Sequence, residues 1–145
     1  MENIQNIIDM KLPVFPCHPN AKKPLTPNGF KDVSSNPDNI RQLWKNHPNA
    51  NIGLPTGLKS DLLVVDIDVK NGQNGFDSLS KLEEEFGSFD TKRVSTPSGG
   101  VHLYFRYPNV RIKNHVGIFE GVDIRSEGGY VLAPGSVIDG KEYTL

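Results

Sequence analysis

The run Leu62-Leu63-Val64-Val65-Asp66-Ile67-Asp68 limits what this chain can become more than any other stretch, because an unbroken aliphatic segment closes on two carboxylates one residue apart. Aliphatic and β-branched, with the turn-forming Asn71-Gly72 just beyond, it predicts a buried β-strand. Strand side chains alternate between faces, so Asp66 and Asp68 are expected on one side, about 6–7 Å apart. Carboxylates that close repel each other unless a cation lies between them. Hard divalent ions such as Mg²⁺ are often held by one or two carboxylates together with substrate phosphates. A plainer reading makes Asp68 a turn cap and Asp66 a solvated strand residue, and so short a pattern recurs by accident. The choice between the two rests on the other segments of the chain.

Those segments belong to one domain by length: 145 residues suffice for a sizeable core. The N-terminus has acidic residues and no long apolar stretch, so no signal peptide is expected, and no window reaches the apolar length of a membrane span. A single cysteine, Cys17, rules out an internal disulfide and a cysteine-rich zinc site. The cytoplasm is then the default compartment. Net charge is only −1, but residues 1–60 carry seven Lys/Arg against four Asp/Glu, and residues 61–145 carry nine against thirteen. A mildly basic front and an acidic rear suit a phosphate-rich ligand held between cationic side chains and carboxylate-bound metal.

In chain order, Ile4, Ile7 and Ile8 predict one face of a helix over residues 2–11, followed by a strand from Leu12 to Pro16. A loop from Pro16 to Asn28 carries Lys22 and Lys23. Ser35-Asn36-Pro37-Asp38 is a helix start, with a capping side chain, proline in the first turn and an acid near the dipole's positive end. That helix should reach Asn46 and bury Ile40, Leu43 and Trp44. Asn51 to Gly57 reads as a short strand with two glycines, without the spacing of a Walker A loop. Gly75 to Phe86 predicts a helix with Phe76, Leu79, Leu82 and Phe86 at helical spacing and Gly87 as its stop. Lys92 to Thr96 is a further strand, and Pro97-Ser98-Gly99-Gly100 turns it into Val101 to Tyr107. There Val101, Leu103, Phe105 and Tyr107 share one face, and His102, Tyr104 and Arg106 the other. On that pattern His102 is expected in a half-exposed, polar sheet face. Residues 110–120 look polar and irregular, with His115 lacking an evident partner. Gly121 to Arg125 repeats the strand pattern, with Asp123 and Arg125 on one face. Gly128-Gly129 leads into Tyr130 to Pro134, and a last strand is expected at Tyr143.

Three strands thus each deliver chemistry: Val65-Asp66-Ile67-Asp68, then Ser98-Gly99-Gly100-Val101-His102, then Gly121-Val122-Asp123-Ile124-Arg125. That order resembles the three motifs of the archaeo-eukaryotic primase superfamily. The nearest likeness is the primase–polymerase (prim-pol) domain at the N-terminus of phage and plasmid replication proteins. Lys23-Pro24, Trp44, the 51–57 segment, Thr96-Pro97 and residues 128–136 fit as well, so the likeness spans roughly residues 12–138. No single motif is specific, but the ordered set is.

The resemblance implies an α/β (α+β) fold of two lobes, with an N-terminal α/β unit packed on a mixed catalytic sheet like that of an RNA-recognition fold. The whole chain, 1–145, would be one prim-pol catalytic domain, an N-terminal piece of a longer replication protein. Asp66, Asp68 and Asp123 would hold two Mg²⁺ or Mn²⁺ ions, and His102 would contact the triphosphate, with Ser98, Arg125, Lys22 and Lys23 as further nucleotide contacts. The implied partners are nucleoside triphosphates, single-stranded or primer–template DNA, and a helicase, C-terminal or separate. Two other readings stand beside nucleotide transfer: a non-catalytic nucleotide- or DNA-binding module, and a metal-dependent phosphodiester hydrolase.

Overall fold

The computed structural model describes residues 2–145. In chain order its elements are α1 (Glu2–Asp9), β1 (Phe15–Cys17), α2 (Pro37–Asn46), β2 (Asn51–Pro55), β3 (Leu63–Ile67), α3 (Gly75–Phe86), β4 (Lys92–Ser95), β5 (Val101–Phe105), β6 (His115–Phe119), β7 (Val122–Arg125), β8 (Tyr130–Leu132), β9 (Val137–Ile138) and β10 (Lys141–Glu142). The fold is α+β, and the chain divides into two units, residues 1–55 with 130–144, and residues 56–129. No helix among the described residues is long and apolar enough to cross a membrane.

The first unit carries a three-stranded antiparallel sheet, ordered β1-β2-β8, and the small β9–β10 hairpin. Helix α1 buries Ile4, Ile7 and Ile8 at the expected spacing. The Asn36 side chain caps α2, accepting hydrogen bonds from the N–H groups of Asp38 and Asn39 at 3.0 Å each. Ile40 and Trp44 are buried, whereas Leu43 is only partly so. Trp44 Nε1 donates to the Ala50 carbonyl at 3.1 Å, so the indole is a core residue with its one polar atom satisfied. Phe15 is fully buried and meets Tyr130 edge to face at 5.1 Å. Burial pushes the Cys17 thiol up to about 12.

The second unit is a five-stranded sheet ordered β4-β5-β3-β7-β6. Every pairing in it is antiparallel, which corrects the expectation of a mixed sheet. Short turns make β4–β5 and β6–β7 antiparallel hairpins, and β3 enters between β5 and β7, antiparallel to both. Leaving β6 aside, β3-α3-β4-β5-β7 places the first strand centrally, as in an RNA-recognition sheet. Period-two alternation puts Ile67, Val101, Leu103 and Val122 on one face, where they form a core with Leu79 of α3. Val65, Phe89 and Phe105 extend that core. Helix α3 therefore docks through Leu79, while Phe76 and Phe86, expected on the same apolar stripe, are 40% and 68% exposed. Residues 110–120 contain strand β6, which the polar composition had concealed.

Candidate active site

Strand β3 is the middle of its sheet, and its partners decide what surrounds Asp66. Asp66 lies directly opposite His102 on β5 and directly opposite Asp123 on β7. Opposite residues in an antiparallel ladder project to the same face with Cβ atoms about 4.5–5.5 Å apart. A single cross-strand row thus carries carboxylate, carboxylate and imidazole from three distant parts of the chain.

Within the row, His102 Nε2 lies 3.5 Å from Asp66 Oδ1. Arg125, two residues beyond Asp123 and hence on the same face, places Nη2 3.2 Å from Asp123 Oδ2 and 4.0 Å from Asp66 Oδ2. The other Asp123 oxygen, Oδ1, accepts the Gly117 N–H at 2.7 Å. The Asp66 and Asp123 side chains are each 20% exposed, so both carboxylates are largely desolvated yet open on one side. His102 is only 6% exposed, not half exposed as its polar neighbours suggested. The same face also carries Val64 and Val94, both fully buried, and Tyr104, so it is an apolar surface holding a few ionisable groups.

Asp68 stands one residue past the end of β3. Its backbone continues the ladder, its N–H donating to the Gly121 carbonyl at 2.7 Å and its carbonyl accepting from Gly75 at 2.8 Å. Side chains at 75 or 121 would not fit: a Cβ on Gly75 would lie 2.4 Å from the Gly121 carbonyl oxygen, and Gly121 holds a φ of +68°. The Asp68 side chain caps the following turn, Oδ1 accepting the N–H groups of Val69 at 2.8 Å and Lys70 at 3.1 Å. Oδ2 accepts no hydrogen bond among the described residues.

Ser98 is exposed in the β4–β5 turn, with Oγ 3.3 Å from Thr96 Oγ1. The turn abuts the end of β3, because a Cβ on Gly100 would lie 2.1 Å from the Ile67 carbonyl oxygen. Lys22 and Lys23 lie in the other unit and are exposed. Their backbone carbonyls accept from the Tyr130 hydroxyl at 2.9 Å and the His18 N–H at 2.8 Å. The Gly117 amide is the contact that reading the sequence missed. The signal was Gly117 and Gly121 around a short alternating stretch, which marks an irregular hairpin.

The donor set is chemically right for a hard divalent cation, since Asp66 and Asp123 offer oxygen ligands side by side and Asp68 keeps one oxygen uncommitted. Among the described residues no three His, Cys, Asp or Glu side chains converge as a ready cage.

A family model described as the N-terminal domain of bifunctional DNA primase/polymerase matches residues 5–145, a span that runs through both units and all three motifs. No curated protein matches the sequence. With nearly the whole chain covered, the protein belongs to the bifunctional DNA primase/polymerase N-terminal family.

Proposed function

We propose that this domain is a template-directed nucleotidyltransferase that joins a (d)NTP to the 3′-hydroxyl of a DNA primer strand by two-metal catalysis. Family membership supports nucleotidyl transfer of the primase–polymerase kind. The observation that carries the finer reading is the single row of Asp123, Asp66 and His102 across three adjacent strands.

Bound Mg²⁺ or Mn²⁺ would lower the pKa of the attacking hydroxyl and steady the leaving pyrophosphate. Asp66 and Asp123 are the central ligands, and Asp68 adds Oδ2 while its other oxygen holds the turn. The Gly117 N–H holds one Asp123 oxygen and Arg125 the other, so the carboxylate is oriented before any ligand arrives. His102, buried beside Asp66, orients that carboxylate and presents its ring to the triphosphate. Arg125 lies beside both acids and offsets their charge; with a metal ion bound there it would be available to phosphate oxygens. Ser98 supplies a hydroxyl from the turn that abuts β3. Preorganised charge suffices here, because phosphoryl transfer needs positioning and electrostatic stabilisation more than covalent help.

Primer extension with Mn²⁺ and labelled nucleotide tests the reading, with Asp66→Asn beside the wild type. Wild-type extension reduced by about 10²-fold or more in the variant is expected, the scale on which a preorganised electrostatic contact acts. Equal incorporation by both proteins would sink it. A melting shift with dATP and metal but no extension would mark a binding module instead. Loss of intact single-stranded DNA without added nucleotide would mark a hydrolase.

A further inference from the structure

The N-terminal end of β3, away from Asp66, borders an open groove of about 620 Å³ lined by residues 58, 59, 61 and 107–111 and by Glu127. Its two carboxylates are already engaged by the protein. Asp61 Oδ1 accepts the Tyr107 N–H at 3.0 Å, and Oδ2 lies 3.8 Å from Arg106 Nε. Glu127 Oε1 accepts the Leu58 N–H at 2.6 Å. Its cations are not engaged: Lys59 and Arg111 are exposed, and among the described residues neither pairs with a carboxylate. The Tyr107 hydroxyl accepts the Ile112 N–H at 3.0 Å, which ties the half-buried ring down from its far end. Leu58 and Val110 stand 68% and 65% exposed on the lip.

Two exposed cations that pair with no carboxylate among the described residues, beside a restrained aromatic ring and exposed aliphatic side chains, match a ligand with phosphates and flat apolar faces. Single-stranded nucleic acid has both, and proteins that bind it without reading sequence combine a cationic groove with such platforms. Leu58 and Val110 lie on an open groove instead of a closed cavity, which favours a passing strand over a captured mononucleotide. Asp61 precedes Asp66 by five positions, at most about 16 Å along the chain. A strand seated here is therefore a few nucleotides from the row of acids.

We infer that this groove is a single-stranded DNA site, with Lys59 and Arg111 on the phosphates and Tyr107, Leu58 and Val110 against bases and sugars. It rests on the nucleotidyltransferase reading only for the direction in which the strand leads, since binding itself needs no catalysis. The test is fluorescence anisotropy of the full chain with labelled oligothymidylate in EDTA across a salt series. It compares wild type, Lys59→Glu/Arg111→Glu, and Lys81→Glu on the exposed side of α3 as a control. Losing two phosphate contacts should weaken binding at least tenfold and flatten the plot of log affinity against log salt by about 1.4. Lys81→Glu should leave both unchanged, and the melting shift with dATP and Mn²⁺ should survive in the double variant. An unchanged salt slope, an equal loss in Lys81→Glu, displacement of the DNA by free dATP, or no wild-type binding would each overturn the site. Groove-dependent binding without primer extension would remove the catalytic proposal and uphold this one.

Discussion

The Arg125 guanidinium lies 3.2 Å from the Asp123 carboxylate and 4.0 Å from that of Asp66, so one side chain serves both acids of the row. Two largely desolvated carboxylates on adjacent strands repel, and a cation between them relieves the repulsion. Arg125 fills that role, and on the proposed two-metal reading a divalent ion would compete with it there.

Arg125→Gln should therefore move two measurements in opposite directions. In EDTA the melting temperature should fall by about 2–4 °C, the equivalent of about 1 kcal/mol in a chain of this size. Free-Mn²⁺ titration without nucleotide should show tighter binding, because no guanidinium has to leave. Weaker Mn²⁺ binding in the variant would show that Arg125 supports the metal and does not compete with it.

On the proposed reading Asp68 has a task at the metal besides capping its turn, and two substitutions divide them. Asp68→Ala removes the acceptor for Val69 and Lys70 and should cost about 1 kcal/mol of stability, whereas Asp68→Asn keeps that acceptor and the fold. Both should lower Mn²⁺-dependent extension, because neither has the ionised oxygen. Full activity in Asp68→Asn, measured beside its denaturation midpoint, would reduce Asp68 to a turn cap.

Gly75 and Gly121 meet at the carboxylate end of β3 with no room for a methyl group. Gly75→Ala should destabilise the protein by about 1–3 kcal/mol, the usual scale of overpacking. Because the strain falls on the backbone around Asp68, nucleotide-dependent melting shifts should shrink along with stability. A denaturant midpoint equal to wild type would show that α3 can yield there.

Cys17 sets a limit at alkaline pH. Its folded pKa, pushed up to about 12 by burial, lies above the ordinary thiol value of 9.0. The unfolded chain therefore gives up the thiol proton first. Any stability linked to this group is complete below pH 9 and is lost as pH rises from there toward 12. Denaturation midpoints of Cys17→Ala should fall less steeply across that window than those of wild type. The native thiol should also resist alkylation at pH 8, a property read by mass spectrometry, since the thiolate is the nucleophile.

Much of this fold is written in local periodicities. The isoleucines of α1, the Asn36-Pro37 start of α2 and the Leu79 stripe of α3 follow from helical spacing and caps. The Leu62–Asp68 run and the alternation of Val101–Phe105 follow from strand geometry. Where those rules failed, a partner overruled them. Phe76 and Phe86 share the spacing of Leu79 but stay exposed, and His102 sits in a polar-looking pattern yet is buried between Asp66 and Val94 on the same face.

The chemical types of the site were likewise legible, because three motifs each ended a strand or turn with a carboxylate or an imidazole. Which of them meet was not. Register is a long-range property: shifting β7 by one residue against β3 would turn Asp123 to the α3 side and bring Val122 or Ile124 into the row. The sequence by itself determined the strands, the helices and the inventory of acids. Only tertiary pairing decided that Asp66 sits between His102 and Asp123, that Arg125 reaches both carboxylates, and that Asp68 spends one oxygen on its own turn. Those contacts join residues dozens of positions apart, and no local rule carries information over that distance.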